Sequence, residues 1–392
     1  MNEFSSSQIF RFFVAFSPMA KLIFLPALLA ERVKNDLWIS IALCFLLDGF
    51  LLLSVLFLAR RGADISTLLQ GAFGRVGSKI LCLVYALFFF VKSFLFFGEE
   101  GRFVTVELYE TVPLFIFLLP LIFVGFYLSQ KRARTLGRLA DIFFFITIFS
   151  FGALLLFALP SANFQALLPV AFRNGKSIFR GAFASLLYFG DPLFLFFLLG
   201  KFHPKSKETG KIFFGFLLSA TLTVGFCALF YSVFTVLAPF ETASYYNLGK
   251  YGAFSTSSGR IDLIITYLLR SVTAIAISLP GFFAVRNLRA VTGVKNDWIW
   301  GFIFFGALAI CLFIGYPYLA LISEILRRYG GYAALLLQYL IPLYACALFL
   351  IKPRKNPSLC NVEGKETHPA TRYVEGQKSH PFAQGNAQAK GV

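Results

Sequence analysis

The sequence predicts an all-α integral membrane protein of about ten transmembrane helices, a five-plus-five inverted repeat with broken first and sixth helices. Three observations carry this expectation. Hydrophobic residues make up 58% of the 392 positions and charged residues only 14%, with a mean hydropathy of +0.75; a soluble surface of this size takes about a quarter charged residues. Apolar runs of membrane-crossing length follow one another along the chain. Proline interrupts the first and the sixth of them at comparable depth.

A hydrocarbon core about 30 Å thick is crossed by about 20 helical residues. The first run, residues 8–30, follows Glu3 rather than a basic cluster and contains Arg11 and Lys21, so it is expected to be a span rather than a cleaved signal peptide. Runs two to five cover 37–59, 78–98, 112–129 and 139–159. Runs six to ten cover 180–200, 211–238, 262–285, 297–316 and 331–351. Residues 1–355 thus form one ten-helix membrane domain, with repeat halves of about 8–159 and 180–351. From residue 356 to 392 the chain is polar, contains Pro and Gly and has almost no aliphatic side chains, which predicts a disordered tail.

Charge sets the orientation, because Lys and Arg are retained on the cytoplasmic side. Loops after even-numbered spans carry clusters: Arg60, Arg61, Arg75 and Lys79, then Lys131, Arg132, Arg134 and Arg138, then Lys201, Lys205, Lys207 and Lys211. Loops after odd-numbered spans carry fewer, together with most of the acids. Both termini are therefore expected in the cytoplasm. The net charge of +17 belongs to these loops and to anionic head groups, with no basic stripe on a soluble module to suggest nucleic acid.

Signs of enzyme chemistry are absent. Five of the six cysteines lie in apolar stretches without a CxxC, and two of the three histidines lie in the tail, so neither a disulfide framework nor a metal site is indicated. No phosphate-binding glycine loop occurs; Gly71, Gly74 and Gly77 are expected to permit close helix packing. The acids Glu99, Glu100, Glu107 and Glu110 read as a solvated outer face. Neither an organic cofactor nor a metal is expected.

Polar residues inside the spans are more informative. In Phe16-Ser17-Pro18-Met19-Ala20-Lys21 a proline and a lysine fall near mid-membrane, and Phe189-Gly190-Asp191-Pro192 falls at a comparable place in the sixth span. Unwound backbone at this depth is tolerated where it lines protein or a cavity. Two such breaks fit a transporter-like central site, and two unrelated proline kinks give the same pattern. An unpaired charge at a helix centre costs roughly 2.5–3.5 kcal/mol, so Lys21 and Asp191 are expected to pair and to close the site. Asp48, Lys92 and Arg270 are expected to point into the bundle, Asp48 and Lys92 as a charge network joining helices. The candidate binding residues are Ser17, Pro18, Ala20, Lys21, Phe189, Gly190 and Asp191, flanked by Arg270 and Ser271 from the eighth span. Free backbone groups at the two breaks are expected to meet the ligand's charged ends.

Several stretches also follow a known order. Phe4-Ser5-Ser6-Ser7-Gln8 has the form of a capping box, and Phe24-Leu25-Pro26 follows the first break. Gly71-x-x-Gly74 with Arg75 precedes the third span, and Glu110-Thr111-Val112-Pro113 the fourth. Leu167-Leu168-Pro169-Val170, Asn174-Gly175 and Gly181-Ala182 lead into the sixth, and Arg260-Ile261-Asp262 into the eighth. Together they resemble the spore-germination permease family, the B-type integral membrane subunits of nutrient germinant receptors, within the amino acid/polyamine/organocation superfamily. The resemblance implies the five-plus-five fold and the inner membrane of a spore. It also implies partners, an A-type subunit and a C-type lipoprotein.

Two departures stand out. Met19, Ala20 and Lys21 replace the small residues usual at the first break, and Asp191 stands where the family has Glu. The resemblance implies a receptor subunit that binds a small polar nutrient, such as an amino acid, and signals germination. A proton-coupled amino-acid or cation transporter using Asp191, and a scaffold or channel subunit without its own ligand, remain as alternatives.

Overall fold

The computed structural model describes residues 4–105, 113–170, 175–251, 261–294 and 296–351, the side chains of 261 and 262 excepted. The expected tail, Glu107, Glu110 and the Asn174 and Arg260 positions lie outside them. All regular structure among the described residues is helical.

The first pass is α1 (Ser6–Phe16) and α2 (Leu25–Val33), separated by turns over residues 17–24. The expected capping box starts it: the Ser5 hydroxyl accepts from the Gln8 N–H at 3.2 Å, and the Gln8 side chain accepts from the Ser5 N–H at 3.1 Å. Four further passes follow, α3 (Leu37–Arg60), α4 (Ile65–Phe103), α5 (Leu114–Ser129) and α6 (Ala133–Ala158). The sixth pass is again two pieces, α7 (Gly175–Ser185) and α8 (Asp191–Phe196). α9 (Ser206–Phe234), a short α10 (Ser244–Lys250), α11 (Ile261–Thr292) and α12 (Asp297–Gly315) come next. The last pass combines α13 (Leu319–Ala334), a π-helical stretch Leu335–Leu340 and α14 (Ile341–Ile351).

Ten passes result among the described residues, with the first and sixth broken, which is the five-plus-five pattern. Among these residues seven helical runs are long and apolar enough to cross a membrane, and Leu114–Ser129 is a shorter apolar helix. Two of the seven runs join neighbouring passes: Leu25–Arg60 links the first to the second, and Asp297–Ile351 holds the ninth and tenth. Large apolar side chains such as Phe149 and Phe302 face outward, 71% and 66% exposed, as a lipid-facing belt requires.

α4 begins thirteen residues earlier than the apolar run that predicts it, because Asp64 caps it by accepting from the Ser66 N–H at 3.1 Å. Gly74 interrupts it at φ 75°, ψ 174°, a backbone conformation open essentially to glycine alone. A Cβ at Gly71 or Gly74 would meet no atom within 4 Å, so close packing, the role expected for these glycines, is not theirs. α1 packs against α6 and α9, α3 against α7 and α8, and α11 against α4, α5 and α6.

Candidate functional site

Both breaks come together at the centre. After α1 ends at Phe16, the Pro18 carbonyl accepts from the Lys21 and Leu22 N–H groups at 2.9 and 3.2 Å, turning the chain. The turn aims Lys21 inward, where it is 1% exposed. Its ammonium donates to the Ser17 carbonyl at 2.6 Å, the Ser17 hydroxyl at 3.2 Å and Asp191 Oδ2 at 2.5 Å. The Ser17 hydroxyl also donates to Asp191 Oδ2, at 2.5 Å. Phe45 and Phe189 present ring faces to the ammonium at 5.5 and 5.1 Å, which suits a desolvated cation.

Asp191 reaches this position because Gly190 adopts the left-handed conformation, φ 87° and ψ 28°, and caps α8, with Pro192 in its first turn. The broken backbone is not left open. Lys92 donates to the Phe189 carbonyl at 2.5 Å, and the Gln338 amide, with its nitrogen turned inward, reaches the same oxygen at 2.9 Å and Leu186 O at 3.3 Å. Asp48 accepts from the Gly190 N–H at 3.0 and 3.1 Å and from the Tyr339 hydroxyl at 2.8 Å. Two cations and two carboxylates thus balance one another, and each holds a backbone or side-chain partner, as buried charges require.

Ser17, Pro18, Ala20, Lys21, Phe189, Gly190 and Asp191 therefore share one place, with Asp48 and Lys92 clamping the sixth-span break. The expectation of free backbone groups for a ligand is overturned at Phe189 and Gly190, whose carbonyl and N–H already hold protein partners. Arg270 and Ser271 do not flank this site. Arg270 pairs with Glu100 at 2.5 Å and lies over Phe103 at 4.5 Å, while Ser271 is exposed and donates to Leu268 O at 2.7 Å. The reason is register: α11 contributes Ala276 and Leu279 to the central cavity, about 1.7 and 2.5 turns along the helix from Arg270.

Glu99 and Glu100 also depart from expectation. They are 7% and 2% exposed, not a solvated face. Glu99 accepts from the Tyr188 hydroxyl, fixing the residue that precedes Phe189. A carboxylate pair directly after an apolar run was the available signal for this layer; Gln338, a lone amide in the tenth span, was the signal for the other missed contact.

The central cavity, lined by Ser17, Ala20, Lys92, Asp191, Phe12 and Phe194 among others, measures only about 10 Å³. That is space for about one water. Almost no free space is left there, and Asp191 in its wall is held by the Lys21 ammonium. Among the described residues no group of three or more His, Cys, Asp or Glu is placed to hold a metal.

In backbone the chain is similar to the manganese transporter of Eremococcus coleocola in complex with an aromatic bis-isothiourea substituted compound, at 12% identity and a TM-score of 0.46 over 86% of this chain and 77% of that chain. A mutant of that transporter is similar at 10% identity and a TM-score of 0.47, over 88% and 76% of the two chains. No curated protein sequence matches. A family model described as spore germination protein matches residues 3–320, spanning nine of the ten passes and both breaks. The chain belongs to the spore germination permease family.

Proposed function

We propose that this chain is the membrane subunit of a nutrient germinant receptor: a small zwitterion such as an amino acid binds between the broken helices, and the resulting change is passed to A-type and C-type partner subunits. In this reading the protein lies in the spore inner membrane with both termini in the cytoplasm. The observation that supports it most is the Lys21–Asp191 contact at 2.5 Å. An ammonium and a carboxylate held together are the two halves of a zwitterion, so an entering amino acid replaces one ion pair by two, its carboxylate on Lys21 and its amine on Asp191. Charge stays balanced throughout, and the exchange must part α1 from α8.

That parting is the signal. Family membership supports receptor rather than enzyme chemistry, and Lys21 further favours signalling over transport of a cation. Its ammonium already fills the cage made by the Ser17 carbonyl and hydroxyl and Asp191, the place a coupling cation would take.

The test uses the full chain in proteoliposomes with a panel of labelled amino acids, together with spores carrying Ala20→Leu. Binding without accumulation inside the vesicles, lost in Ala20→Leu along with the germination response, supports the receptor reading. Accumulation driven by a proton gradient would instead favour the transporter. A wild-type nutrient response from correctly assembled Ala20→Leu would exclude the central site.

A further inference from the structure

A second, larger cavity opens at the end of the bundle away from the Glu100–Arg270 pair. It measures about 620 Å³ and is lined by Arg75, Lys79, Lys201, Arg286 and Arg289. Arg75 and Lys79 lie in the first part of α4, Arg286 and Arg289 in the last two turns of α11 and Lys201 between α8 and α9, at the end of the bundle expected to face the cytoplasm. No carboxylate lines the cavity. Arg289 is engaged by Asp297 at 3.0 Å, whereas Arg75 and Lys79 form no ion pair among the described residues.

Asn287 supplies an independent sign of a missing occupant. It lines the same cavity, is 4% exposed, and its Nδ2 has no hydrogen-bond partner. A buried donor without an acceptor costs about 1–3 kcal/mol, and an anion oxygen in the cavity would satisfy it. The rest of the wall mixes the neutral polar side chains Ser66, Gln70 and Ser78 with apolar ones. Phe197 and Phe283 form part of it, and Phe283 stacks on Phe194 at 4.9 Å, a residue that also lines the central site.

We propose that this cavity binds a phosphate-bearing anion, taken either from an acidic lipid headgroup or from a soluble phosphate. Guanidinium groups match phosphate oxygens in pairs, and a lysine adds a point charge. Arg286 already donates to Phe282 O at 3.3 Å and Lys131 O at 2.7 Å, so the charge to be matched is that of Arg75 and Lys79, and a single carboxylate would balance only one of them. The mixture of cationic rim and partly apolar wall suits a phosphate carried on a less polar body. This site is separate from the nutrient site and stands whether or not the receptor reading holds.

The full chain is reconstituted in phosphatidylcholine nanodiscs and titrated with inorganic pyrophosphate by calorimetry. In parallel, it is reconstituted with added phosphatidylglycerol, and the lipid retained on the protein is measured by native mass spectrometry. Retention of phosphatidylglycerol without pyrophosphate binding identifies the headgroup as the source, and pyrophosphate binding identifies a soluble phosphate. Either result should weaken with salt and fall roughly thirty-fold in Arg75→Gln/Lys79→Gln. Asn287→Leu should weaken it as well, which diffuse surface attraction would not produce. The control Arg134→Gln/Arg138→Gln removes the same charge at the same end of the bundle and should leave binding unchanged. Binding in neither arm, or equal loss in the control, overturns the proposal.

Discussion

Asp48 holds the backbone N–H of Gly190 at 3.0 Å, so a carboxylate from the second pass fixes the break in the sixth. Asp48→Ala leaves that N–H and the Tyr339 hydroxyl without an acceptor. The expected loss is about 2–4 kcal/mol, read as thermal unfolding in detergent. Asp48→Asn keeps one acceptor oxygen and should lose about half as much; an Asn variant as unstable as the Ala variant would count against this role.

Lys21 and Asp191 are predicted to be strongly coupled. Lys21→Met or Asp191→Asn alone should cost about 3–5 kcal/mol, because each strands or underpairs the other group in a buried site. The double variant should be more stable than the worse single one. A double-mutant cycle in folded yield and unfolding temperature measures this, and additive losses would rule out the coupling.

Arg270 and Glu100 form a separate pair, so their joint neutralisation should spare nutrient sensitivity. Arg270→Gln alone should reduce folded protein by leaving Glu100 unbalanced. Arg270→Gln/Glu100→Gln should recover much of it, with the germination response at wild-type nutrient concentrations. A large shift in the effective nutrient concentration for the double variant would return Arg270 to the binding site.

Gly190 is intolerant for two reasons. Its φ of 87° costs an L side chain about 1–2 kcal/mol, and a Cβ there would collide with the Gln338 side chain. Gly190→Ala should therefore lower the unfolding temperature, and Gly190→Leu more so. A leucine at Gly190 would therefore perturb the fold as well as fill the site, which is why Ala20 is the better position for a blocking side chain.

Topology is tested by single-cysteine labelling. A Lys207→Cys site, in the loop after the sixth pass, should react only when the cytoplasmic face is accessible. Reaction from the outer face alone would invert the orientation and place both termini outside.

Much of this arrangement was legible in the sequence. Pro18 and the Gly190-Asp191-Pro192 run marked both breaks because their constraints are local, and Lys21 and Asp191 implied each other because lone charges at mid-membrane are costly. What stayed hidden depends on pairing through space. Nothing in the linear order tells that Asp48 binds a backbone N–H, or that Glu99 turns inward to Tyr188. Arg270 was misplaced because its charge fitted the site as well as it fits Glu100; only the rotation and rise of α11 separate the two.

The Ser17, Lys21 and Asp191 cluster gives the proposed receptor a built-in competitor. Lys21 is tethered four residues from the Ser17 carbonyl it binds, so it contends for Asp191 at a fixed and high effective concentration. A nutrient must win that contest, and its apparent affinity is reduced by the fraction of time the pair stands open. Traces of nutrient then go unanswered. In the proposed receptor the threshold for response would be set inside the chain, by how firmly one lysine holds one aspartate, and weakening that hold without removing it should yield a more sensitive spore.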